Sequence, residues 1–176
     1  MSIVRILLDI LIIAAVATTC WYVYVTYGEE IAYFIVGDQP ETIYIDNLAL
    51  RVSIADEPAE RTQGLSGVSE LGELEGKLFI FDENGRHGIW MKDMTMPLDI
   101  IWIDDAFKVI HIEENITPET YPPIFRPVQS APCGLEVNAF SVDAFKVQVG
   151  DMVTIPASLL PEDLQDKLIK DAFLQN

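Results

Sequence analysis

Five residues hold most of the chemistry this chain could perform: Arg61, Trp90, Lys92, Asp99 and Glu136. Each is charged or carries a large polar-edged ring, and each lies beside a run of apolar residues. A charge in such a place is paired when it is buried, because an unpaired one is costly. Two arrangements are open. In the first, Arg61 or Lys92 meets Asp99 or Glu136 inside the domain and pins the register of its strands. In the second, Arg61, Trp90 and Lys92 line one groove, the ring acting as a stacking platform and the cations holding an anionic or polar ligand.

Other chemistries have weaker starting points. A Ser or Cys nucleophile needs a histidine base, and the two histidines, His87 and His111, fall in no recognisable motif. Asp99 with Glu136 is a conceivable hydrolase-like carboxylate pair, although so acidic a chain offers many pairs. Met91, Met94 and Met96 with His87 nearby are a possible Cu(I) ligand set. In a strand, however, Met91 points away from the other two, and core packing is the commoner use of Met. No cofactor and no resident metal is expected.

The elements that must position these residues read mainly as strands. Residues 42–54 alternate, with Leu48, Leu50, Val52 and Ile54 on one face. Residues 56–64 read as a short helix, capped by Asp56, opened by Pro58 and stopped by Gly64. Residues 77–81 (KLFIF) have strand composition, and Asn84-Gly85 favours a hairpin returning through residues 86–91. Residues 98–103 and 107–112 form a second pair, turning at residues 104–106. Residues 92–96 are then the corner between hairpins. Residues 113–132 carry five of the 10 prolines and read as a long ordered loop or edge segment. Residues 135–139 and 146–156 read as the last strands. Such a run of short strands predicts a compact antiparallel β-sandwich or barrel-like domain with short helices.

The ends of the chain differ from this middle. Residues 6–27 are apolar enough to cross a bilayer as a helix, with Trp21, Tyr22, Tyr24 and Tyr27 as an interfacial belt at the far end. Arg5 on the near flank, with Glu29 and Glu30 beyond, places the N-terminus in the cytoplasm and the domain outside the cell membrane. A cleaved signal peptide ending near Ala15-Val16-Ala17 or a lipid-modified Cys20 are rival readings, and both also export the domain. Residues 1–28 are therefore an anchor, 29–41 a tether, 42–157 the β-rich domain, and 158–176 an amphipathic helix with Leu164, Leu168 and Ala172 on one stripe. Cys133 is expected as a lone buried thiol.

Composition limits the partners. The chain has 28 acidic and 11 basic residues, a formal charge of −17; Arg5 and Asp9 cancel, so the exported part keeps that whole charge. A surface of this kind repels a phosphate backbone, which argues against nucleic acid, and it disfavours lying flat on anionic lipid.

Arg61-Thr62-Gln63-Gly64-Leu65, Gly76-Lys77-Leu78-Phe79-Ile80-Phe81, Trp90-Met91-Lys92 with Pro97-Leu98-Asp99, Leu135-Glu136-Val137 and Val149-Gly150-Asp151 succeed one another in an order that resembles the domain of unknown function 192 family over residues 48–155. The resemblance implies a mostly β domain, commonly exported or membrane-tethered, with no established biochemical activity. The chain departs from the family pattern at Asp93-Met94, where Asn-Thr is usual, at Ser66 and Lys77, where Met is common, and at Phe140, where Gly is usual. The combined expectation is an anchored, extracytoplasmic binding or assembly module for a small molecule, glycan or peptide.

Overall fold

The computed structural model describes residues 40–167 together with Thr18, Trp21 and Tyr22. The expected membrane span over residues 6–27 lies outside the described residues apart from those three, as does most of the tether. Among the described residues no helix is long and apolar enough to cross a membrane. The chain divides into two compact units, residues 1–39 and residues 40–176, and the β-rich domain is the second.

Nine strands are described in that domain: β1 (Glu41–Ile45), β2 (Leu48–Ala55), β3 (Glu75–Gly85), β4 (Ile89–Trp90), β5 (Leu98–Ile103), β6 (Val109–Ile116), β7 (Ile124–Phe125), β8 (Ala131–Asn138) and β9 (Val153–Thr154). Two short α-helices, α1 (Pro58–Gln63) and α2 (Ser141–Phe145), interrupt them. Seven strands make one sheet in the order β6-β5-β8-β3-β2-β1-β9, while β4 and β7 pair separately. The sheet curls like a half-barrel, and at one end its two edges touch. Lys108 and Met152 form a bridge there, and Val153 N–H donates to the Phe107 carbonyl at 2.7 Å.

The curl creates two apolar layers, one on each face. Alternation along β2 turns Leu50, Val52 and Ile54 to the inside, where they meet Leu78, Ile80, Ile101, Ile103, Cys133, Leu135 and Val137. On the outer face Phe79, Leu98, Ile100 and Trp102 are covered by Leu65, Ile89, Met91 and Met94 from the connecting segments. β5 is buried at all six positions because both layers claim it. Past β9, Leu160 and Leu164 seal the inner layer, and Lys167 pairs with Asp105 at 2.7 Å. The remainder of the expected terminal stripe, Leu168 and Ala172, lies outside the described residues. Cys133 is a buried free thiol, and burial pushes its pKa up to about 12.

Besides the single strand read over residues 42–54, which is the antiparallel pair β1 and β2 turning at Asp46-Asn47, three expectations about the strands need correction. The sheet is mixed rather than purely antiparallel, because β2 and β3 run parallel. β3 does not fold back on residues 86–91 either: it lies between β2 and β8, and Ile89–Trp90 instead pairs with Ile124–Phe125. The run 78–81 had the continuous apolar character of a strand with neighbours on both sides, which the Asn84-Gly85 turn signal obscured. The third concerns residues 146–156, of which only Val153–Thr154 is strand.

A parallel neighbour cannot be reached by a tight turn, so residues 56–74 must cross the sheet's outer face. This crossover carries α1. Its N-cap is Glu57 rather than Asp56, in a reciprocal capping box with Glu60, and Pro58 opens the helix. Gly64 ends it at φ 54°, ψ −128°, a conformation open only to glycine.

Candidate functional site

The crossover roofs a cavity of about 400 Å3, a size typical of small-molecule sites. Its walls come from three places. The crossover supplies Pro58, Arg61 and residues 62–66, residues 87–94 supply His87, Gly88, Ile89, Trp90 and Met94, and the proline-rich segment supplies Ile124 and Arg126. The sheet contributes only Phe79, Phe81 and Glu136.

Glu136 forms the floor. It lies on the outer face of β8, opposite Lys77 of β3 and Ile100 of β5, and is 2% exposed. Burial pushes its carboxyl up to about 8, an effect that the Lys77 charge and the Leu65 backbone amide only partly offset. Its Oε2 is buried without a hydrogen-bond partner among the described residues. Gly64 keeps that oxygen open to the cavity, because a Cβ there would lie 3.6 Å from Oε2 and 3.2 Å from Phe79 Cζ.

The walls are aromatic and cationic. Phe81 stacks on His87 at 4.1 Å between ring centroids and on Phe79 at 6.3 Å. His87 Nε2 also contacts the Glu83 carbonyl at 2.6 Å, which fixes the imidazole plane. Trp90 is 37% exposed, so its ring is available to a ligand. The two guanidinium groups differ. Arg61 donates to the Asp56 carbonyl, to the Ile80 carbonyl at 2.8 Å and to Asp82 at 2.5 Å, so it fastens the crossover to β3. Arg126 donates to the Arg86 carbonyl at 3.1 Å and makes no ion pair among the described residues.

Of the five residues singled out in the sequence, Arg61, Trp90 and Glu136 therefore share one cavity. Lys92 and Asp99 do not belong to it. Lys92 is exposed in the turn after β4, where its carbonyl accepts from Ser66 Oγ at 2.7 Å. Asp99 is fully buried, and its two oxygens accept from the Asn115 N–H at 2.8 Å and the Val142 N–H at 2.9 Å. The expected cross-pairing of Arg61 or Lys92 with Asp99 or Glu136 is thus replaced by Arg61 with Asp82 and by Asp99 with two amides. The Asp99–Glu136 carboxylate pair does not converge, because Asp99 lies opposite Val137 of the inner layer whereas Glu136 lies opposite Ile100 of the outer one. Met91 and Met94 are buried in the outer apolar layer. Arg126, Phe81 and Gly64 were not singled out as site residues. The proline-rich loop was the signal for Arg126, and a glycine at the helix stop was the signal for Gly64.

Fold and site together define a curled β-sheet domain with a cavity roofed by a crossover. The family model of domain of unknown function 192 (Uncharacterized ACR) matches residues 41–155, and the chain belongs to that family. Two solved structures are similar. A protein of unknown function from Novosphingobium aromaticivorans aligns with a TM-score of 0.63 and 24% identity, over 66% of this chain and 85% of its own. A proposed transcription regulator from Sinorhizobium meliloti aligns with a TM-score of 0.58 and 31% identity, over 60% and 81%. No curated protein matches the chain.

Proposed function

We propose that the domain is a binding module for a small polar molecule, presented on the outer face of the cell membrane by the N-terminal apolar segment. The observation that carries the binding reading is the Glu136 Oε2, buried without a hydrogen-bond partner among the described residues at the floor of an open cavity. Leaving a buried polar atom unsatisfied costs roughly 1–3 kcal/mol, and a ligand that satisfied it would recover that cost. Trp90 and the Phe81–His87 stack supply flat apolar surface beside it, a combination typical of sites that orient a small ligand. The likeness to a proposed transcription regulator brings no nucleic-acid binding here, because the acidic excess opposes a phosphate backbone.

A thermal-shift screen of small polar compounds against the full chain tests the reading. A ligand present at 100 times its Kd stabilises by about 2.7 kcal/mol, enough to raise Tm by several degrees. The expected result is a hit whose shift disappears in Trp90→Ala. If no polar compound shifts the wild type, or every hit shifts Trp90→Ala equally, the cavity is not a binding site.

A further inference from the structure

We infer that the cavity selects a small organic acid: its carboxylate meets Arg126 at the wall, and a hydroxyl or carbonyl at its other end meets the Glu136 carboxyl at the floor. The inference rests on the binding reading and narrows it to one chemical class.

The two polar ends of the site are unlike. At the floor, Glu136 needs a partner for Oε2, and Gly64 leaves the way to it open. Burial favours the protonated carboxyl, which both donates and accepts, so a hydroxyl or carbonyl complements it. An amine is the poorer partner. It would require ionisation of a buried acid and would bring a second cation close to Lys77, whose charge already acts on that carboxyl. At the wall the two guanidinium groups are not equivalent. Arg61 already has its charge paired with Asp82 and three of its five N–H groups spent on Asp82 and two carbonyls, whereas Arg126 is exposed and spends one N–H on the Arg86 carbonyl. Among the described residues that line the cavity, Arg126 is the guanidinium that makes no ion pair. It presents the planar fork that carboxylates match in two parallel hydrogen bonds. Between the two ends, the stacked Phe81–His87 rings and Trp90 suit a flat ring.

Three probes that share a ring and a hydroxyl separate the possibilities: 4-hydroxyphenylacetate, tyramine and 4-hydroxyphenethyl alcohol, titrated into the 15N-labelled full chain. The acid should bind at least about tenfold more tightly than the other two, shifting the Gly64 amide and the Trp90 indole N–H. Arg126→Gln should bring the acid down to the affinity of the alcohol. Equal or tighter binding of tyramine or the alcohol overturns the inference and leaves the binding reading standing. Undiminished acid binding in Arg126→Gln also overturns it. If none of the three perturbs the cavity resonances, the inference falls, and the binding reading is decided by the thermal-shift screen.

Discussion

Burial holds the Glu136 carboxyl at about 8, against 4.5 for a free one, and this gives the residue a signature in stability as well as in binding. Because the folded value lies above the unfolded one, the stability linked to Glu136 is fully present below pH 4.5. It is lost as pH rises through the window to about 8 and is flat beyond. Glu136→Gln keeps the shape and removes the titration. Urea unfolding should find the variant and wild type alike near pH 4, with the variant more stable by roughly a few kcal/mol above pH 8. A constant difference across the range would show that the site is wet and the carboxyl ordinary. Phe140 makes a second residue-scale case. It precedes α2 at φ 69° with its side chain 63% exposed, so it bears left-handed strain and gains little burial in return. Phe140→Gly should raise stability by about 0.5–1 kcal/mol in the same assay. This strain is a physical reason for glycine to be usual there in the family, and Asp93 at φ 55° gives the same reason for Asn.

Among the elements, β5 was fully legible: the six residues 98–103 form the strand expected of them, and the alternation along β2 places Leu50, Val52 and Ile54 inside as read. The misplaced element was β3. Its apolar run fits either a hairpin strand or a central one, and period and composition do not distinguish the two. Choosing the hairpin removed the crossover, and with it the roof of the cavity. That is why Arg61 and Trp90 could be read as lining one groove while Glu136 at its floor and Arg126 at its wall could not be joined to them. Lys92 looked equivalent to Trp90 because it is two positions away, but β4 ends at Trp90 and the turn carries Lys92 out of the cavity. The central position of β3 also accounts for Gly76. A Cβ there would lie 2.7 Å from the Glu136 backbone oxygen, so β3 and β8 could not keep their spacing. Gly76→Ala should cost about 2–3 kcal/mol in urea unfolding and should weaken binding in the cavity, since Glu136 moves with its backbone. A variant of unchanged stability would refute the close approach.

For the whole molecule, closure is what matters. The inner layer is built from both sheet edges, from α2 and from residues beyond β9, so no segment of it stands alone. Family similarity ends at Ile155, yet Leu160 and Leu164 are 4% and 6% exposed and complete the same layer. Truncation after Ile155 should therefore lower stability by several kcal/mol, because each large-to-small loss of this kind costs about 2–5 kcal/mol. A truncated chain that unfolds at the wild-type urea midpoint would show the extension to be dispensable. The parallel pairing of β2 with β3 also bears on how such a domain can diversify. The crossover that this pairing requires, together with the 87–94 and 124–126 segments, makes nearly the whole wall of the cavity, whereas the sheet lends three side chains. Loops change in length and sequence more freely than the strands they join. One inherited sheet could thus serve descendants with different ligands, each rewritten in the roof and straps while the strands below stay as they are.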